Sequence, residues 1–218
     1  MKKLYFDIET LPANEGSKEI LELLFKKKQE KSAKKKKKKA GCEEVCDIDA
    51  DDFDSFFRKT SFDGAFGRVL CIAYAINDGE LEVICNPDDE KKTLKEFWEI
   101  AKDVDLFIGH NIMDFDLRFL CQRSAILGVK PTRDLSFARY RHDPIFDTMK
   151  EWSKWGDPKN CSSLEHIALA MGIPSPKDDI DGSQVYDFFM DGKVKDICDY
   201  CKKDVATTRL VYKRMNFE

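Results

Sequence analysis

The sequence predicts an α/β fold: one mixed sheet with helices packed on its faces. Three observations carry that expectation. An alternating, aromatic-rich run, Lys3–Ile8, starts almost at the first residue and reads as a strand. Two β-rich runs, Arg68–Asn77 and Leu81–Asn86, flank Asp78-Gly79, the strongest short-range hairpin signal. Beyond them, helical periodicity alternates with short apolar runs to the end of the sequence.

Each element has a local reason. After the first strand, Ser17–Lys31 carries Ile20, Leu21, Leu24 and Phe25 at helical spacing, which predicts a short helix. Lys34–Lys39 is an unbroken lysine run whose mutual repulsion predicts a solvated, mobile stretch. Asp49–Arg58 places Phe53, Phe56 and Phe57 on one helical face, suited to docking the acidic stretch onto the body. Asp88 and Asp89 can cap a helix in which Leu94, Phe97, Trp98 and Ala101 fall at i, i+3, i+4 and i+7. Asp105–Gly109 reads as a short buried strand, and Asp114–Leu127 as a helix ended by Gly128. Pro144–Met149 is a further strand candidate. Ser162-x-x-Glu165 has the form of a capping box opening a helix that Gly172 closes. A short helix near Ser183–Met190 and a long one over Lys193–Arg214 complete the series.

Composition narrows the class of protein. With 42% hydrophobic residues and 16 Phe in 218 positions, the chain can bury a core, which argues against wholesale disorder. No run of about 18 apolar residues exists, so no membrane partner is expected. Acids at Asp7 and Glu9 interrupt the apolar stretch a signal peptide needs. Eight cysteines without such a signal suit reduced thiols in a cytoplasmic protein. Two close pairs, Cys42/Cys46 and Cys198/Cys201, have zinc-ligand spacing, but Cys-x-x-Cys recurs on ordinary helices and the first pair lies in a weakly patterned segment.

The net charge of −4 conceals a polarised segment. Lys26–Lys39 holds ten Lys and one Glu, and Glu43–Asp54 holds seven acids and no base. Two readings of the lysine run stand side by side. It either binds nucleic-acid phosphates non-specifically or forms a solvated insertion after the first strand; charge runs and loop insertions favour the second.

The chemistry-bearing residues are acids. Asp7 and Glu9, two apart on a strand, share one face of the sheet, where they repel unless a counter-charge such as a divalent metal sits between them. Asp116 opens a helix after a buried strand and a turn, Gly109-His-Asn111, a position that also suits a helix-dipole contact. Tyr200 and Asp204 are four apart on the last helix and therefore on one face. Asp147 sits at a strand end, as a helix cap or as an acid behind the site. His110, His142 and His166 fit no catalytic arrangement.

Taken together, these segments resemble the three motifs of the DEDD superfamily of 3′→5′ exonucleases, in the family's order: Phe6-Asp-Ile-Glu-Thr10, Asn111-x-x-x-Phe115-Asp116 and Tyr200-x-x-x-Asp204. The tyrosine of the third motif points to the DEDDy branch, since the position five before the last acid, a histidine in the other branch, is Asp199. The second motif is similar to that of the proofreading domain of family B DNA polymerases, and the region from about Phe62 onward to stand-alone bacterial exonucleases related to it.

The resemblance implies a ribonuclease H-like fold with a five-stranded mixed sheet. It implies one exonuclease domain over 1–218, with a lysine-rich then acidic insertion at about 12–61. Asp7, Glu9, Asp116 and Asp204 would hold two divalent cations, Mg²⁺ or Mn²⁺, and Tyr200 would orient the attacking water. Thr10, Leu11, Asn111 and Phe115 would contact substrate. The expected substrate is single-stranded nucleic acid, DNA favoured over RNA, with nucleoside 5′-monophosphates as products. A catalytically silent binding module on the same fold is the less favoured alternative, since all four acids and the tyrosine are present.

Overall fold

The computed structural model describes residues 1–39, 52–135, 137–156, 162–174 and 182–218, with backbone only for 32–39. Cys42, Cys46 and most of the acidic run lie outside these residues.

Five strands form one sheet in the order β3-β2-β1-β4-β5. They are β1 Lys3–Leu11, β2 Arg68–Ile76, β3 Glu82–Cys85, β4 Leu106–Gly109 and β5 Ile145–Asp147. β1 is central, antiparallel to β2 and parallel to β4. The β2–β3 pair is antiparallel and the β4–β5 pair parallel, so the sheet is mixed. Helices α1 Lys18–Lys39, α2 Phe53–Arg58, α3 Glu90–Ala101, α4 Asp116–Leu127, α5 Thr148–Trp152, α6 Leu164–Ala170, α7 Val185–Met190 and α8 Val194–Met215 follow in chain order.

The period of two along β1 sorts its side chains between two cores. Leu4, Phe6 and Ile8 face Phe97, Trp98, Leu117 and Leu120 of α3 and α4. Tyr5 and Leu11 face Ile197, Cys201, Val205 and Tyr212 of α8. The odd-numbered face of β1 is thus the one α8 covers, and Asp7 and Glu9 lie on it between Tyr5 and Leu11. A bulge between Glu9 and Thr10 ends the regular pairing with β2 just beyond the two acids.

Three elements differ from expectation. The helix after β1 does not stop at Lys31 but runs to Lys39. Lysine is a good helix former, no Gly or Pro interrupts the stretch, and like charges one turn apart cost only a few tenths of a kcal/mol each. Nor is its apolar set one buried face: Leu21 is buried, while Ile20 and Leu24 are exposed. Phe25 turns to α2, with ring centroids 5.7 Å from Phe53 and 5.3 Å from Phe56. Phe57 is buried against Tyr186 of α7, so the aromatic face of α2 does dock onto the body.

β5 ends at Asp147 rather than Met149, because the Asp147 carboxylate caps α5 by accepting the amides of Met149 and Lys150. The cap of α6 is Ser163, whose hydroxyl accepts the His166 amide; this displaces the expected Ser162–Glu165 box by one residue. Among the described residues, no helix is long and apolar enough to cross a membrane.

Candidate active site

Three elements bring the motif acids together at one end of the sheet. β1 presents Asp7 and Glu9 toward α8, which carries Tyr200 and Asp204 one turn apart. Asp116 enters from the first turn of α4. The pairing of β1 with β4 runs only from Lys3–Leu106 to Tyr5–Ile108. Beyond β4 the Ile8 amide donates instead to Asp116 Oδ1 at 3.2 Å, which pins the α4 acid against the central strand. The turn that makes this possible is tight at Gly109. A Cβ there would lie 2.0 Å from Ile112 Cγ2 and 3.0 Å from the Phe6 carbonyl oxygen.

Asp7, Glu9 and Cys201 each offer a ligand atom, all within 4.8 Å of one another. The Cys201 thiol, fully buried, lies 3.4 Å from both the carbonyl oxygen and Oδ2 of Asp7. In the sequence Cys201 stands out only as the partner of Cys198 in a Cys-x-x-Cys pair; its contact with Asp7 arises from the packing of α8 on β1.

Burial and crowding dominate the electrostatics. Asp7 is pushed well above the usual carboxylate range by burial first, then by Cys201, Asp116, Asp204 and Glu9. Glu9 is raised likewise by burial, Asp204 and Asp116. Asp116 is raised to about 7 by burial, against the lowering effect of its own amide and that of Ile8. Asp204 is raised to about 6 by burial, partly offset by a hydrogen bond from the Tyr200 phenol. Burial and the neighbouring carboxylates raise Tyr200, so the phenol stays protonated at neutral pH. Four acids crowded in a desolvated place, with hard oxygen donors, are the environment a divalent cation relieves, so the residues present fit such an ion.

The expected substrate contacts fare unevenly. Thr10 borders a cavity of about 380 Å³ with Arg58, Phe62 and Tyr186, but its hydroxyl donates to the Ser61 carbonyl at 2.7 Å. The Leu11 side chain is packed into the α8 core at 1% exposure. Asn111, at φ +63°, accepts the Asp114 and Phe115 amides on its carbonyl, the role of a turn residue. Phe115 is half-buried between Phe119 (5.6 Å) and Phe62 (6.2 Å). Phe62 is 65% exposed, and it is the ring of this row that solvent reaches most.

A mixed five-stranded sheet whose central strand bears two carboxylates, faced by acids from helices on both sides, defines a ribonuclease H-like domain with a candidate metal-dependent site. The chain belongs to the family of predicted 3′–5′ exonucleases related to the exonuclease domain of PolB, whose family profile matches residues 63–218. It is therefore a 3′–5′ exonuclease by family, a hydrolase whose substrate is nucleic acid. Asp7 and Glu9 precede the matched residues, separated from them by α1 and α2.

Among solved structures the chain is similar to the family B DNA polymerase from the hyperthermophilic archaeon Pyrobaculum calidifontis. The TM-score is 0.64 at 18% identity, over 100% of this chain and 24% of that one. The chain thus spans about a quarter of that polymerase, and the likeness is one of fold. A search of curated proteins finds no match.

Proposed function

We propose that the chain is a single exonuclease domain that removes nucleotides from the 3′ end of single-stranded DNA in a divalent-metal-dependent reaction, releasing nucleoside 5′-monophosphates. One observation carries this reading: β1, α4 and α8 bring Asp7, Glu9, Asp116 and Asp204 to one end of the sheet, where burial raises all four carboxyls and neighbouring acids raise Asp7, Glu9 and Asp116 further, an arrangement that is costly without cations.

Asp7, Glu9 and Asp204 would hold one Mg²⁺ or Mn²⁺, and Asp7 with Asp116 a second. Such a pair supplies Lewis-acid stabilisation of the attacking and leaving oxygens of an in-line phosphoryl displacement. The remaining work falls to the protein. The Tyr200 phenol donates to Asp204 and stays protonated, so it orients a water in hydrogen-bond reach rather than removing its proton. Glu9, 8% exposed, shares in that orientation from the opposite wall. The Phe62–Phe115 row, next to the Thr10–Ser61 contact, offers a stacking surface for bases approaching the site. Stacking is sequence-tolerant and suits an unpaired strand.

The test uses 3′- and 5′-labelled single-stranded DNA and RNA with Mg²⁺ or Mn²⁺, beside Asp7→Ala and Asp204→Ala. Stepwise 3′ shortening of DNA, abolished by EDTA and by both substitutions, is expected. Equal activity in the variants, or none in the parent with either metal, would sink the reading; faster RNA shortening would reassign the substrate.

A further inference from the structure

Asp147 belongs to none of the three motifs, yet its carboxylate is 1% exposed and satisfies four backbone amides from two elements. Oδ1 accepts from Met149 (3.0 Å) and Lys150 (3.3 Å), the cap of α5. It also accepts from Asn111 at 3.0 Å, and Oδ2 accepts from Met113 at 3.0 Å. The last two amides belong to the turn between β4 and α4, the turn that delivers Asp116.

Neighbouring groups hold the same turn. The Thr148 hydroxyl donates to the Gly109 carbonyl at 3.2 Å and so receives the Nδ1 proton of His110 at 2.9 Å. Burial keeps that imidazole neutral by lowering its pKa to about 4. Lys150 pairs with Asp114 across the same gap. The turn passes its geometry on directly. The Asn111 carbonyl accepts the Phe115 amide at 3.1 Å, the Ile112 carbonyl accepts the Leu117 amide at 3.0 Å, and Asp116 lies between these two donors.

We infer that Asp147 is a positioning residue for the candidate metal site: through the Asn111 and Met113 amides it fixes the turn that sets Asp116 against Ile8, and so the place of the Asp116 carboxylate. A plain helix cap needs only the Met149 and Lys150 amides; the two bonds across to β4–α4 are what a cap does not require. Asparagine at 147 can keep one oxygen for Oδ1's partners but turns an NH₂ toward the Met113 amide. Serine can still cap α5 but is too short to span both elements.

This inference rests on the metal-site reading above, so its test includes a measurement that needs no turnover. Mn²⁺ binding to the full chain is titrated by EPR of the free ion for the parent, Asp147→Asn and Asp147→Ser, with folding monitored by circular dichroism and thermal melting. Folded variants that bind Mn²⁺ about 10- to 100-fold more weakly, with kcat on labelled DNA reduced and KM within about twofold, are expected. A folded Asp147→Ser chain with parental Mn²⁺ affinity and kcat overturns the inference, because α5 is still capped there. If Asp147→Asn fails to fold, the Ser variant decides alone. If both fail, amide exchange in the parent decides: Asn111 and Met113 amides exchanging as fast as exposed ones overturn the clamp, and slow exchange at both supports it. Parental Mn²⁺ binding without DNA degradation would sink the exonuclease reading while leaving the Mn²⁺ comparison intact.

Discussion

Phe62 shows how much a single position depends on its surroundings. In sequence it closes an aromatic run with Phe53, Phe56 and Phe57, and nothing distinguishes it from them. In the fold Phe57 is buried, Phe53 and Phe56 meet Phe25, and Phe62 remains 65% exposed beside Phe115. Base–aromatic stacking contributes about 1–3 kcal/mol per base, so Phe62→Ala should raise KM for single-stranded DNA about 5- to 100-fold with little change in kcat. Steady-state kinetics on an oligonucleotide check this; an unchanged KM removes Phe62 from the substrate path. Asn111 and Leu11 make the converse point. Both sit inside or next to a motif, yet one serves the turn with its backbone and the other fills the core.

At the scale of the element, the β4–α4 turn is the most constrained piece of backbone in the site. Gly109 has Ile112 and the Phe6 carbonyl where a Cβ would stand, and the turn's amides are taken up by Asp147. Gly109→Ala should destabilise the protein by about 1–3 kcal/mol through overpacking and, by pushing the turn away from β1, weaken the Ile8–Asp116 bond. A thermal melt and an Mn²⁺ titration read the two effects separately; a variant matching the parent in both would show that the turn has room to relax. The segment between β1 and β2 behaves differently. Its described parts are tied to the body by Leu21, Phe57 and the Arg58–Asp187 pair, while much of α1 exposes polar surface. In the 12–61 segment that the resemblance reads as an insertion, Leu21 and Phe57 share a cluster with Phe66 and Tyr186 of the body, while Phe25 packs within the segment on Phe53 and Phe56.

For the whole molecule, the raised pKa values of the site acids predict how stability depends on pH. Asp116 near 7 and Asp204 near 6 hold protons in the folded state that the unfolded chain releases at about pH 4. Between those values the folded state binds more protons, so the stability of the metal-free protein falls as pH rises. In EDTA, the melting temperature of the parent relative to Asp116→Asn should therefore drop by several degrees between about pH 5 and pH 7.5. Millimolar Mn²⁺ should restore it at the higher pH and do little at the lower, because binding needs deprotonated ligands. A parent–variant difference that does not change with pH would show that Asp116 titrates normally.

The order and kind of most elements were legible in the sequence because each rests on a local signal. Alternation marks Lys3–Ile8, Asp-Gly the hairpin, Asp89 the cap of α3, and Gly128 the end of α4. Asp7, Glu9, Asp116, Tyr200 and Asp204 are legible as candidates through the resemblance of their three motifs, in order, to one family; spacing alone puts only Asp7 with Glu9, and Tyr200 with Asp204, on one face. What the sequence by itself determined was the class of the fold and which acids are the candidates. Tertiary structure decided what lies between the acids. The Cys201 thiol against Asp7, the Asp147 bridge to the β4–α4 turn, and the choice of Phe62 over its neighbours as the exposed ring all join residues 34 or more positions apart, or depend on which faces are covered. Local propensity is blind to such contacts; they form only when α8 and α4 close on the two faces of the central strand, crowding the acids together and raising the electrostatic cost that a divalent cation would relieve.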